Sequence, residues 1–331
     1  MLLPRPLIGV MNIQNKKFII NTSDIILFLK NEYGLARPYA RRMPQGVIDF
    51  NYAVFSGKQQ YVFKMFNTRN SEQVNFELSA LQRLARFDFK TPRLVLTKLN
   101  KRASTIAGRP CALLRFIPGR TLLHPNLDDM RIIGHMLGEL HVRLGKIQQK
   151  VKKQTWEPKD IKRYLKTCRG SIIRKRYPKA GAIISFIQKE LASITFPDGL
   201  PQSVTHQDVK PENIIKDECG IIHFIDFDAC YRGIMLYDVM TPIIWMGFTK
   251  SGQLRRPYIK AIITGYQHAR VLTPKEKRHL YDALRFRLLR EAFVWPMRFS
   301  PRVAQPKSER FMRAYKKLSS HKSFVESLCK I

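Results

Sequence analysis

The stretch Thr205–Cys230, THQDVKPENIIKDECGIIHFIDFDAC, gathers Asp208, Asn213, Asp226 and Asp228 beside short apolar runs. The rest of the chain is strongly basic, with 59 Lys and Arg against 25 Asp and Glu and a formal net charge of +34. Acidic and amide oxygens gathered in such a background point to a metal ion, because hard divalent cations take oxygen ligands. Phosphoryl transfer needs a short inventory of that kind. A carboxylate must orient or deprotonate the attacking hydroxyl, oxygens must hold Mg²⁺, and a cation must hold the phosphates. Asp208 is read as the base or hydroxyl-orienting group, and Asn213 and Asp226 as the Mg²⁺ ligands. Asn213 follows Asp208 by five residues, so one loop can present both, and Asp226 follows by eighteen. The turn-forming 217–220 segment reverses the chain. The strand-like IIHFID then returns Asp226 opposite the loop.

Working outward, 331 residues are comfortable for two lobes, and 44% hydrophobic residues can build a real core. No apolar run reaches the roughly 18 residues of a membrane span. The start, MLLPRPLIGVMNIQNKK, is too interrupted for a signal peptide, and Met11 is an alternative first residue. Five cysteines at 111, 168, 219, 230 and 329 show no paired spacing, so a reducing cytoplasm is the expected home. The charge attracts polyanions, and basic residues are denser in 145–178 and 250–290. No nucleic-acid-binding motif accompanies them, so they read as a solvated surface with at most non-specific nucleic-acid binding. The sequence carries no signal of oligomeric state.

Periodicity divides the chain. Residues 1–22 read as an N-terminal extension. SDIILFLKNEY (23–33) reads as a helix capped by Ser23 or Asp24. From Gly46 to Phe66, alternating apolar residues flank Ser56-Gly57 as two strands of a hairpin. SEQVNFELSALQRLAR (71–86) is a helix with Ser71 as its cap, and RLVLTKL and PCALLRFI are two further strands before Pro118-Gly119. Beyond that point helical spacing dominates at 130–144, 180–195 and 255–295. Strand-like runs remain near 203–205, 212–216 and 221–227, which implies one short hairpin. The expectation is an α+β, two-lobed fold: a small N-terminal β-sheet lobe (23–117) for nucleotide and a larger, mainly helical C-terminal lobe (118–331) for catalysis. Clefts between lobes are preferred ligand sites.

HQDVKPEN followed by IDF has the form of a kinase catalytic loop and metal-binding Asp-Phe. Asp228 stands where protein kinases carry glycine, and Asp238 follows Asp226 by only twelve residues, which leaves no room for an ordinary activation loop. No G-x-G-x-x-G occurs in the small lobe. The chain resembles the aminoglycoside phosphotransferase/choline kinase-like superfamily instead, and within it type II homoserine kinases. The likeness runs through QGVIDFNYAVFSGKQQYVFKMF, FELSALQRL, IAGRPCALLRFIPGR, LGELHVRL and GYQHARVLTPKE as well as the core motif. Lys210 and the pair Asp228-Ala229 depart from that family, which usually has aromatics there.

The resemblance implies ATP and Mg²⁺ as cofactors, and a small-molecule hydroxyl substrate with homoserine the first to try. It implies that Lys64 holds the α/β-phosphates and pairs with Glu77. Gly46 to Asn51 would cover the phosphates. The hinge LLRFI would meet adenine through the backbone of Arg115 and Ile117. Lys210 is a candidate contact to the transferred phosphate, and His206 and Asp238 are expected to brace the catalytic loop. Two other readings stand beside this one. The first is a kinase of a protein or of another small alcohol. The second is a pseudokinase whose basic surface binds an anionic partner or nucleic acid.

Overall fold

The computed structural model describes residues 20–44, 49–149, 151, 155–167 and 180–331. Most of the N-terminal extension, Val47, the Gly46 end of the phosphate-covering loop, Cys168 and part of the basic 145–178 segment lie outside them. The architecture is the expected one, a small antiparallel-sheet lobe and a larger, mainly helical lobe.

Helix α1 (Thr22–Tyr33) begins one residue before its expected start. Asn21 holds the N-cap position without a side-chain bond, so neither Ser23 nor Asp24 is the cap. The sheet has six strands: β1 (Tyr39–Arg42), β2 (Phe50–Ser56), β3 (Gln59–Met65), β4 (Leu94–Val95), β5 (Ser104–Ile106) and β6 (Arg109–Arg115). They run β1-β2-β3-β6-β4, all antiparallel, with β5 also paired to β6. The β2–β3 hairpin turns at Gly57-Lys58, where Gly57 takes φ 58. That left-handed conformation suits glycine. The expected strand at 93–99 shrinks to two residues, and the β5–β6 hairpin was not anticipated.

Both faces of this sheet are used. Phe50, Tyr52, Val54, Phe63, Met65 and Leu113 pack with Ile25 and Leu29 of α1. Register and alternation put Asn51, Ala53, Val62, Lys64, Ala112 and Leu114 on the opposite face. Lys64 is thereby turned away from α1 and toward α2 (Ser71–Ala85). Asn70, not Ser71, caps α2 by accepting the Gln73 N–H. Its buried Val74, Leu78, Leu81 and Leu84 join the larger core together with Met130, Ile133 and Leu137 of α3 (Leu127–Leu144).

Gly119, at φ 151, passes so close to the second lobe that a Cβ would stand 2.6 Å from the Lys216 carbonyl. Beyond it lie α3, α4 (Pro158–Thr167), α5 (Ala180–Ala192), β8 (Gln202–Thr205), β9 (Ile214–Lys216), β10 (Ile222–Phe224) and β11 (Tyr231–Ile234). Then come α6 (Met235–Met246), α7 (Arg256–Ala269), α8 (Pro274–Arg278), α9 (Leu280–Arg298), α10 (Pro301–Leu318) and α11 (Lys322–Ser327). The single hairpin expected here becomes two small sheets. The short strand β7 (Arg120–Thr121) adds to β9–β10, and β11 pairs with β8. The helical run expected at 255–295 is interrupted after Ala269. There Arg270 makes two 3.0 Å bonds to Glu276, which also closes a capping box with Thr273. Every residue of α6 is buried, which makes it the central helix of the lobe.

Candidate active site

The catalytic loop follows β8 and is fixed from beneath by Asp238 on α6. This carboxylate is fully buried and accepts the N–H groups of His206 and Gln207, both at 2.7 Å. Its Oδ2 also meets His141 Nε2 at 3.0 Å, and His141 Nδ1 meets the Tyr266 hydroxyl at 2.8 Å. Burial alone pushes the carboxyl up. The bond from His141, with support from His206, outweighs burial and holds it below the usual carboxylate range. Gln207 sits at φ 66, and Arg287 secures it through its carbonyl at 2.7 Å and its side-chain oxygen at 2.8 Å. Burial lowers the Arg287 guanidinium to about 10. His206 Nε2 lies 3.0 Å from the Ile225 carbonyl, which can only accept, so the proton sits on Nε2. Nδ1 then accepts the Asp208 N–H at 3.3 Å. His206 and Asp238 are where a loop brace is expected.

Asp208 faces the cleft with its two oxygens differentiated. Oδ2 accepts Asn213 Nδ2 at 2.7 Å and Lys210 Nζ at 2.6 Å. Asn213 Nδ2 also reaches the Asp208 carbonyl at 3.0 Å, so the amide nitrogen is committed and its oxygen is turned elsewhere. Asn213 is joined to the next strand by the Ile225 N–H, 3.0 Å from its carbonyl. Asp226 is therefore set beside it.

Lys64 is 7% exposed, and its ammonium lies 2.9 Å from Asp226 Oδ1, 3.5 Å from Glu77 Oε1 and 3.6 Å from Asp49 Oδ2. Burial works to lower it, but Asp226 and Glu77 outweigh burial and raise it. Arg69 bridges Asp49 and Glu77 from the other side and stacks 4.6 Å over Phe66. Burying so many charges is tolerable only because each is paired.

The Asp226 carboxyl is 42% exposed and recessed in the cleft. That recess disfavours its charged form, yet Lys64 outweighs it and holds the group down at about 2. Its backbone is left-handed, φ 62 and ψ 71, a strained state for a residue other than glycine. Burial and the neighbouring Asp226 push Asp228 up. Among the described residues no group of three or more His, Cys, Asp or Glu side chains is disposed to hold a metal ion. Asn213 offers an amide oxygen and Asp226 a second carboxylate oxygen, which fits Mg²⁺, an ion that takes one or two protein ligands and completes its shell with phosphate and water.

The hinge is less open than its sequence implies. The Arg115 N–H donates to the Arg93 carbonyl at 2.8 Å and the Phe116 N–H to the Gln60 carbonyl at 3.1 Å. The Arg115 guanidinium is held by Gln59 at 2.7 Å and lies over the Tyr61 ring, away from the Lys64 cluster. Ile117 keeps an amide without a backbone partner among the described residues, and a cavity of about 520 Å³ opens beside Phe116, Gln60, Ala53 and Arg41. Sequence reasoning missed Asp49, Arg69, His141 and Arg287. Asp49 and His141 lie in stretches that carry the resemblance, but nothing local marks their roles.

A model of the phosphotransferase enzyme family matches residues 40–272. The chain is 26% identical to a homoserine kinase of Zymomonas mobilis over 259 residues, 76% of this chain and 79% of that one. It is 25% identical to a homoserine kinase of Brucella melitensis over 282 residues, 82% and 84% of the two chains. Among solved structures, amicoumacin kinase hAmiN in complex with AMP-PNP and Ca²⁺ superposes with a TM-score of 0.68, at 16% identity over 91% of this chain and 94% of that one. A choline kinase from Cryptosporidium parvum gives 0.65, at 13% identity over 92% and 98%. These structures share the two-lobed kinase-like fold.

Proposed function

The chain belongs to the phosphotransferase enzyme family, and on that premise we propose that it transfers a phosphoryl group from ATP, with Mg²⁺, to the hydroxyl of homoserine. The observation that carries the reading is the state of Asp208. Asn213 and Lys210 both occupy Oδ2, which leaves Oδ1 to accept the proton of an incoming hydroxyl. The similarity to homoserine kinases over most of both chains supports the choice of acceptor.

Each remaining residue has a task in this reaction. Asp238 and Arg287 keep the loop from shifting, so Asp208 orients the hydroxyl without reorganising. Lys64, held by Glu77, is placed to grip the phosphates once they displace its contact with Asp226. Lys210 stands beside the oxygen of Asp208 and can steady the transferred group. Asn213 and Asp226 would hold the metal, which supplies charge neutralisation on the phosphates when bound. Ile117 would meet adenine through its amide, which has no backbone partner among the described residues.

The test is formation of O-phosphohomoserine from ATP, Mg²⁺ and homoserine, followed by phosphorus NMR. Asp208→Asn should slow single-turnover transfer by roughly 10²–10⁴, the usual contribution of general acid–base catalysis, while calorimetric ATP binding persists. Transfer to other alcohols but not to homoserine would reject the acceptor. Full activity of the variant would reject the role of Asp208.

A further inference from the structure

Beside Asp208, two tryptophans and three cations cluster where the catalytic loop meets the helices of the second lobe. Lys210, bonded to Asp208, has its ammonium 5.8 Å from the ring centre of Trp245 on α6. Lys307 on α10 reaches the same ring at 4.8 Å and the ring of Trp295 on α9 at 5.4 Å. Arg310 lies 5.6 Å over Trp245 as well, but it is spent on the backbone, donating to the carbonyls of Trp245 at 2.7 Å and Phe248 at 3.2 Å. Three helices thus bring two indoles and two cations beside Lys210 of the catalytic loop.

The balance of charge there is uneven. Lys210 has Asp208. Glu291 is taken by Arg290, by Arg287 at 3.7 Å and by the Trp295 indole N–H at 3.2 Å. Lys307 has no hydrogen-bond acceptor among the described residues, and the nearest carboxylate there is that of Glu212, 3.9 Å away. Burial lowers its ammonium below the usual lysine range, and Arg310 and Lys210 add to that against Glu212. An aromatic face is a good seat for a cation, but here the chain's own cations fill it. A cationic head group would meet occupied rings and like charge. An anionic group would find a half-desolvated ammonium held only by one long ion pair, 3.9 Å to the half-exposed Glu212.

We propose that Lys307 is the anion-binding residue of the acceptor site, and that the acceptor is a small alcohol bearing an anionic group, a carboxylate or a phosphate ester. The inference rests on the phosphotransferase reading of the same site. It deepens that reading by naming the residue that selects the acceptor.

The experiment compares kcat and KM for two matched pairs with ATP and Mg²⁺: homoserine against homoserinol, and glycerol 3-phosphate against glycerol. Wild-type protein should favour the anionic member of a pair at least tenfold in kcat/KM. Lys307→Gln should raise KM for that member about 10- to 100-fold, as loss of a hydrogen bond to a charged group implies, and change kcat less. Lys307→Arg should keep most of the preference. Equal or better use of the member that lacks the carboxylate or phosphate, or a preference untouched by Lys307→Gln, overturns the inference and leaves ATP-dependent transfer standing. Preference for glycerol 3-phosphate over homoserine supports the anion site and overturns homoserine as acceptor. Transfer to none of the four overturns both. If Lys307→Gln does not fold, Lys307→Met, which keeps the apolar stem against the indoles, takes its place with the same expected rise in KM.

Discussion

Asp226 holds a left-handed backbone beside Phe227 and pairs with Lys64 across the cleft. Such strain costs an ordinary residue on the order of 1–3 kcal/mol and persists where surrounding structure fixes it. The strained turn follows Ile225, which is bonded to Asn213, and in the proposed reaction Asp226 and Asn213 would hold the divalent cation. Asp226→Asn keeps the shape and removes the charge. Turnover at saturating Mg²⁺ should fall by roughly 10²–10³, the scale of one lost electrostatic contact to the reacting group. ATP binding measured without Mg²⁺ should change far less, because Glu77 and Asp49 still hold Lys64. Turnover close to wild type would remove Asp226 from the metal site.

Helices α3 and α7 pack against each other more closely than large side chains allow. A Cβ at Gly134 would stand 2.1 Å from the Ile262 carbonyl, and one at Gly265 would stand 1.9 Å from the Arg131 carbonyl. Only glycine fits, because the obstacle is backbone that cannot swing aside. The close approach also serves the site, since His141 on α3 meets Tyr266 on α7 on one side and Asp238 on the other. Gly134→Val should lower stability by about 1–3 kcal/mol or more through overpacking, measured by urea denaturation. It should also reduce turnover at temperatures where the protein stays folded, because moving α7 loosens the support of the catalytic loop. Unchanged stability would show that the helices have room to separate.

For the whole molecule the dominant number is the +34 charge, far more than the charges clustered around Lys64 and Trp245 account for. Exposed lysines and arginines occur in both lobes of the described structure. A surface of this kind binds nucleic acid through counterion release, without reading sequence. RNA retention in a filter assay should therefore be independent of sequence. It should weaken by roughly 10³ or more between 50 and 200 mM salt if about six phosphates are contacted. Tight, sequence-dependent retention at physiological salt would instead assign the surface a partner.

The sequence by itself determined the reaction chemistry and the plan of the fold. Asp208, Asn213 and Asp226 sit in one short segment, and local spacing fixes which side chains a loop and a returning strand can present together. Apolar periodicity likewise separated the sheet from the helices, though caps slipped by one to three residues and β5, β7 and β11 escaped, because such short strands carry almost no pattern. Tertiary structure decided the rest. Lys64 and Asp226 are 162 positions apart. Arg69, Arg287 and Lys307 come from a loop and helices that carry no motif, and the partners of Asp49 are not legible from its own stretch. Their roles depend on which charges are buried together and how closely each is paired. That balance is a sum over neighbours in space, and a chain acquires those neighbours only when its lobes and helices pack.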